Sequence, residues 1–247
     1  TKDGTALIGN HFHTLVDESR LSFTTDDLSA FKEYLSVDRS LEFGSISIYY
    51  SENCIIAQQD EVLINSCAVA KCTISETSYI KKLRELNSVA IPVEAAEKIM
   101  LLFRPFSGAQ GKQILDFCKS AHVESVINID REKSNSGDYQ YSLTRKKSGK
   151  DQFICPESIS IRVPILKNID DVRAITFETA FDFENVGDQA TMTFTFSNID
   201  LDNVVAFNKR ELLNGLLKDL PFKKYWGNIT VVPLTNAWKY KANPLTH

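Results

Sequence analysis

Apolar residues recur three and four positions apart in five stretches of the chain. Leu28, Phe31 and Leu35 form the first, behind Thr24-Thr25-Asp26-Asp27, which offers an N-cap and an acidic first turn. A short amphipathic helix over residues 26–36 follows from that pattern. Ser75-Glu76-Thr77-Ser78 caps a second helix carrying Ile80, Leu83 and Leu86. Pro92 suits the first turn of a third, whose Val93, Ala96, Ile99 and Phe103 lie on one face. Ser107-Gly108 opens a fourth, through about residue 120, with Leu115 and Cys118 inward. A fifth is predicted over residues 203–219, with Val204, Val205, Leu212, Leu213 and Leu216 apolar and Pro221 ending it.

Elsewhere the period is two. Ser45 to Tyr50 alternates as a half-exposed strand does, and Cys54 to Ala57 and Val62 to Ile74 read as further strands. After residue 122 strands dominate: Val123 to Asp130, then a return on which Tyr139, Tyr141 and Leu143 share a face, then Ser158 to Ile165. The clearest hairpin places Ile175, Phe177, Phe181 and Phe183 on one side before the turn Asn185-Val186-Gly187-Asp188. On its return, Ala190, Met192, Phe194 and Phe196 alternate with Thr191, Thr193, Thr195 and Ser197. Such patterning implies an antiparallel sheet with one buried face, which the fifth helix is expected to cover. One more strand, Ile229 to Val232, closes the pattern. The fold class expected is therefore α+β, a mixed N-terminal half followed by an antiparallel β-meander covered by helices. No repeat or Gly/Ser/Pro-rich linker marks a cut, so residues 1–247 are expected to form one unit. Any subdivision would fall into an α+β part at 1–90, a helical connector at 91–122 and the sheet with its helix at 123–247.

Composition removes whole classes. With 43% hydrophobic and 24% charged residues, the 247-residue chain is neither disordered nor of low complexity. Apolar runs such as Ile99 to Phe103 fall far below the roughly 20 residues of a membrane span. No signal-like segment opens the chain at Thr1, although native residues upstream of it are not excluded. The cysteines (Cys54, Cys67, Cys72, Cys118 and Cys155) are odd in number, lack a CxxC pair and sit in apolar segments. They point to reduced, buried thiols and a cytoplasmic protein. The net charge of −4 excludes a globally basic nucleic-acid coat. It also hides an alternation: residues 1–65 sum to −7, 66–150 to +5, 151–208 to −7 and 209–247 to +5. Mutual neutralisation of these blocks in the fold is the expectation, with separate surface patches as the alternative.

Most motif-like stretches have a plainer structural explanation. Ser107 to Lys112 resembles a phosphate-cradling loop, but Phe106 stands where the first glycine belongs and Gln113 follows Lys112. Asn198, Asp200 and Asp202 space their oxygens like the start of a calcium loop. Asn203 replaces the turn glycine and Lys209 the bidentate glutamate, so helix capping explains them. His11 and His13 lack further ligands at metal spacing. A catalytic triad would rest on His122 without a GxSxG elbow. Asp26-Asp27 and Asp170-Asp171 are adjacent pairs whose side chains point apart, as in turns and caps. No catalytic residue, cofactor or metal is assigned, and an enzyme is the less favoured class; an unrecognised hydrolase or nuclease is the residual alternative.

One constellation speaks for binding. Tyr139 and Tyr141 precede the basic loop Arg145-Lys146-Lys147-Ser148-Gly149-Lys150, and Lys223-Lys224-Tyr225-Trp226 is a second basic-aromatic stretch. Bases stack on aromatic rings while phosphates meet Lys and Arg, so single-stranded nucleic acid is one partner class. The candidate residues are Tyr139, Tyr141, Arg145, Lys146, Lys147, Lys150, Lys223, Lys224 and Trp226. A solvated hairpin is the favoured explanation of the first stretch, and a protein partner is the other partner class. An open edge strand near the hairpin would allow homo-oligomers by sheet extension.

Taken in order, several segments resemble the uncharacterised phage and prophage family typified by the YfdQ protein. They run from Arg20-Leu21-Ser22-Phe23 and the helix with Phe31 and Tyr34, through Ile91-Pro92 and Val123 to Val126, to Cys155-Pro156-Glu157-Ser158-Ile159-Ser160-Ile161-Arg162-Val163-Pro164. The hairpin 173–197, the helix after it and Trp226-Gly227 complete the resemblance; the tryptophan-containing segment of the family's middle is replaced near Tyr79 to Leu83. The resemblance implies context and no catalytic residues: a phage early-region or accessory gene product in the bacterial cytoplasm. The leading expectation is a non-enzymatic phage or prophage accessory protein that binds a host or phage macromolecule. Its more specific alternative is single-stranded nucleic-acid binding in phage replication or recombination.

Overall fold

The computed structural model describes residues 5–8, 11–16, 23–36, 46–59, 68–121, 126–133, 139–145, 149–186 and 189–231. The fold is α+β with antiparallel strands. Contacts gather the chain into two units. Unit 1 takes Thr1–Glu76, Leu166–Ile169 and Ala206–His247, and unit 2 takes Thr77–Ile165 and Asp170–Val205.

Unit 1 is built on a mixed five-stranded sheet. β4 (Ile46–Tyr50), β5 (Cys54–Gln59) and β6 (Ala68–Thr73) pair antiparallel at its centre. β14 (Lys223–Trp226) borders β4 in parallel, and β3 (Phe23–Thr25) borders β6 in parallel. A smaller sheet joins β2 (His11–Val16) antiparallel to β1 (Thr5–Ile8) and parallel to β15 (Asn228–Val231). Helix α1 (Leu28–Ser36) starts where the sequence places a cap: the Asp27 carboxylate accepts from the backbone N–H groups of Ser29 at 2.7 Å and Ala30 at 3.3 Å. Its apolar stripe Leu28, Phe31 and Leu35 is buried, and Tyr34 stacks on Phe23 at 4.3 Å.

β4 departs from expectation. Its alternation suggests a half-exposed strand, yet Ile46, Ser47, Ile48 and Tyr50 are all buried. The reason is position: β4 is an inner strand between β14 and β5, and both of its faces are covered. On the face opposite Ile48, Ile229 of β15 and Cys54 pack against the fully buried Ile56.

Unit 2 holds two antiparallel sheets. One orders β10 (Gly149–Cys155), β9 (Tyr139–Arg145) and β8 (Val126–Lys133). The other orders β11 (Ser158–Pro164), β12 (Val172–Val186), β13 (Gln189–Ser197) and the two-residue β7 (Ile91–Pro92). The β12–β13 hairpin has the predicted phase: Phe181 lies opposite Phe194, and Ile175, Phe177, Phe181, Phe194 and Phe196 are buried. Thr179 shares the buried face, where its hydroxyl donates to the Pro156 carbonyl, so the one polar member is satisfied.

Helices α2 (Ser78–Leu86), α3 (Val93–Phe103) and α4 (Gly108–Ala121) accompany these sheets, with a 3₁₀ turn at Arg104–Phe106. Thr77 caps α2, and its hydroxyl also donates to the Pro164 carbonyl at 2.6 Å. The hairpin's apolar face meets α4, where Phe117 packs on Phe181 at 4.3 Å, and the fifth helix follows the hairpin in the chain. That last helix, α5 (Leu201–Leu217), groups with unit 2 only through its first turn, and its body from Ala206 belongs to unit 1.

Asn87 and Ser88 close the second edge of β13. Ser88 donates its N–H to the Phe196 carbonyl at 3.0 Å. The Asn87 amide pairs with both backbone groups of Asn198, accepting at 2.7 Å and donating at 2.9 Å, as a further strand would. The turn that places them puts Ser88 in the left-handed region at φ 61°.

The fold groups the charge blocks so that neither unit carries a strong excess. Unit 1 joins the acidic first block to the basic last one and carries 13 basic and 14 acidic residues, hence −1. Unit 2 carries 15 and 18, hence −3. Ion pairs bridge the blocks within each unit. In unit 1 the buried Lys209 ammonium reaches Glu76 at 3.2 Å and Glu52 at 3.8 Å; in unit 2 Arg84 meets Asp202 at 2.6 Å.

Candidate functional site

The two basic-aromatic stretches fall in different units. Tyr139, Tyr141 and Arg145 lie on β9, where Tyr139 pairs with Cys155 and Lys133, Tyr141 with Phe153 and Arg131, and Arg145 with Gly149 and Val126. Lys150 lies on β10 opposite Thr144. The backbone thus forms the hairpin the sequence predicts. The side chains of these four, and Lys146 and Lys147 altogether, lie outside the described residues.

Lys223, Lys224 and Trp226 are on β14, at the edge of the unit 1 sheet, and here the side chains are described. Parallel pairing sets Lys223 beside Ser47, Tyr225 beside Tyr49 and Trp226 beside Tyr50. Because alternate residues face opposite ways, two surfaces result. On one, Tyr225 stacks on Tyr49 with centroids 5.3 Å apart and planes 23° from parallel, and Lys223 stands two positions earlier, exposed. On the other, Trp226 meets Tyr50 edge-on at 5.3 Å, and the Arg210 guanidinium of α5 lies 5.4 Å over the indole.

The second surface is fixed from beneath. The Tyr50 hydroxyl donates to the Asn214 amide oxygen of α5 at 2.5 Å, and Asn214 follows Arg210 by one helical turn. Burial raises the Tyr50 phenol above its ordinary value, and the nearby Arg210 charge partly offsets this. Lys224 turns its ammonium back onto the Leu220 carbonyl at 2.7 Å, where it terminates the chain segment leaving α5. Gly227 then donates its N–H to the Tyr50 carbonyl, holding β14 in register up to its last residue. Tyr225 and Trp226 are each half-buried, so a ring edge or face of both meets solvent.

Comparison with known proteins finds no match: no family model, no curated protein and no solved structure. The reading of the site therefore rests on its own geometry.

The remaining motif-like stretches serve the fold. Asn198 is held by Asn87, donates to the Thr176 carbonyl at 2.8 Å and accepts from the Asp200 N–H at 2.9 Å, while Asp202 pairs with Arg84. Asp27 caps α1. Ser107 precedes α4, with Gly108 at φ 57°, but its hydroxyl has neither exposed surface nor a hydrogen-bond partner. It lies against Gly111, where an added Cβ would meet it at 1.8 Å. An anion arriving at the helix end could not reach it, so the stretch is a packing contact.

The thiols are equally committed. Cys72 and Cys118 are fully buried, and burial, assisted by Asp27 and Asp26 for the first and by Cys155 and Glu97 for the second, pushes both up to about 12. A thiol with that affinity for its proton is a poor nucleophile. Among the described residues, no three His, Cys, Asp or Glu side chains gather as a metal site requires, and no helix is long and apolar enough to cross a membrane.

Sequence reasoning singled out Lys223, Lys224 and Trp226, with Tyr225 in the same basic-aromatic stretch, but not Arg210, Asn214, Tyr49 and Tyr50, which the fold sets around them. The doublets Tyr49-Tyr50 and Tyr225-Trp226 were the available signal. They lie more than 170 positions apart and come together by a parallel pairing that no local pattern encodes.

Proposed function

We propose that this chain is a non-enzymatic accessory protein of a phage or prophage, working in the bacterial cytoplasm by binding a host or phage macromolecule through the β14 edge. The observation that carries the reading is the pair of aromatic contacts made by the edge strand, partly exposed Tyr225 on Tyr49 and partly exposed Trp226 on buried Tyr50, each attended by a cation. Aromatic rings offer large contact area at low entropic cost, and they are the residues on which binding energy concentrates. The groups elsewhere that could do chemistry support it further: the buried thiols hold their protons, Lys209 is clasped by carboxylates and Asp27 caps a helix. The phage setting comes from the family resemblance.

A photo-crosslinking residue in place of Lys223 tests the reading in phage-infected or lysogenic bacteria, with one in place of the exposed Lys112 of α4 as the reference. A discrete adduct is expected from position 223 and not from position 112, and Trp226→Ala should diminish it. Adducts of equal yield at both positions, or none at either, would contradict binding at this edge.

A further inference from the structure

We propose that the macromolecule taken by the β14 edge is single-stranded nucleic acid, with a base stacked on Tyr225, its phosphate at Lys223 on the same side, and the strand continuing around the sheet edge to Arg210 on the other. The inference rests on the binding role proposed for this edge and specifies its partner. Its first ground is spacing. Lys223 and Tyr225 point to the same side of one strand two residues apart, which at about 3.3 Å per residue separates them by about 6.6 Å. A base on the ring thus leaves its own backbone within reach of the ammonium.

The second ground is the form of the aromatic surface. Tyr225 is stacked on Tyr49 with planes 23° apart, which fixes its ring, and because β14 is the edge strand the ring face turned away from Tyr49 is the platform for one base. A platform of this kind accepts any base, since every base has a π face. On the other side of the strand the guanidinium over Trp226 offers a plane of its own for stacking and a charge for phosphate.

The third ground is what the charges can and cannot do. Lys209 is consumed by Glu76 and Glu52, and Lys224 is turned onto a carbonyl, which among the described residues leaves Lys223 and Arg210 as cations flanking the rings. Exposed Glu211 and Asp219 share the same stretch of chain and are repelled by a polyanion. Stacking, not charge, then carries the affinity. Two neutralised phosphates on a single strand give a salt slope of about −1.4 in log K against log salt, or about a sevenfold loss between 50 and 200 mM. A protein held mainly by its positive charge would show a far steeper dependence.

The test is a titration of a fluorescent 30-nucleotide oligo(dT) against the full chain at 50 and 200 mM salt, with the matching duplex alongside. Expected are binding of the single strand in preference to the duplex and a slope near −1.4. Lys223→Ala should lower the slope by about 0.7. Tyr225→Leu, which keeps an apolar side chain in place but removes the ring, should weaken binding about fivefold or more. Circular dichroism and urea midpoints of both variants establish that they fold. Absence of binding at 50 mM, or affinities of both folded variants within twofold of the parent, overturns the nucleic-acid assignment. In that event a protein adduct from position 223 in cells would leave the binding role standing with a different partner. Loss of both signals would remove the role as well.

Discussion

Replacing Lys209 by Met tests the electrostatic joint of unit 1. The side chain is 4% exposed, and its ammonium sits 3.2 Å from a carboxylate oxygen of Glu76, itself 14% exposed, and 3.8 Å from one of Glu52, which is 49% exposed. Methionine fills nearly the same volume, so packing is conserved and the change isolates the charge. What remains is a mostly buried Glu76 carboxylate that has lost the Lys209 ammonium. Removing one partner of a buried pair costs about 3–5 kcal/mol, because the other charge stays desolvated. Water reaches Glu76 in part, which sets the expectation at the lower end, about 3 kcal/mol. Glu52, half in solvent and farther away, adds little.

Converting Glu76 to Gln in the Lys209→Met background removes the orphaned charge, so the double variant should recover to within about 1 kcal/mol of the parent. Urea unfolding followed by tryptophan fluorescence suits the measurement, since Trp226 lies in unit 1. A loss under about 1 kcal/mol for the single variant would falsify the reasoning. So would a double variant as unstable as the sum of the two singles, because the two groups would then be uncoupled.

Other expectations concern helix starts and thiols. Asp27→Ala should cost about 1 kcal/mol by removing a working cap, whereas Ser107→Ala, at the same place before α4, should be neutral or stabilising by up to about 1 kcal/mol. Equal losses at the two positions in chemical denaturation would show that the Ser107 hydroxyl does cap its helix. Gly111→Ala gains helix propensity but drives a methyl into buried Ser107, so a net loss of about 1–3 kcal/mol is expected, relieved by Ser107→Gly. Cys72 and Cys118 keep their protons in the folded state to about 12, while unfolded thiols lose theirs near 9. Between those values the unfolded state binds fewer protons, so stability falls as pH rises, by at most about 1.4 kcal/mol per pH unit for each thiol. The contribution is intact below pH 9. Unfolding curves of Cys118→Ala should fall less steeply than the parent's over pH 9–12, and parallel curves would refute the assignment.

Local structure was legible because local rules produce it. The α1 cap, the α2 stripe of Ile80, Leu83 and Leu86, and the phase of the β12–β13 hairpin each depend on residues within a few positions of one another. β10 was less visible because Gly149-Lys150-Asp151-Gln152 carries no apolar alternation, and β14 because two lysines open it. The half-exposed reading of β4 failed for a related reason: serines at strand positions suggest solvent, and Ser47 is buried under a covering layer supplied from elsewhere in the chain. Burial is a property of the neighbours, which periodicity does not name.

The largest gap between sequence and structure lies in the parallel pairings, and the charge pattern had been a clue to them. Parallel strands need a connection longer than a hairpin turn, so the partners of β14 and β15 had to be distant in sequence. The partners are β4 and β2, in the first 50 residues, which is the acidic block most in need of positive charge. Residues 206–231, returned to it in unit 1, carry five basic and two acidic side chains, and Lys209 at Glu52 and Glu76 is where part of that positive charge is buried. The same return lays Tyr225 and Trp226 on Tyr49 and Tyr50. Closure of the fold and assembly of the candidate site are thus one event, so substitutions that loosen the C-terminal limb should weaken binding even where they touch none of the aromatic rings.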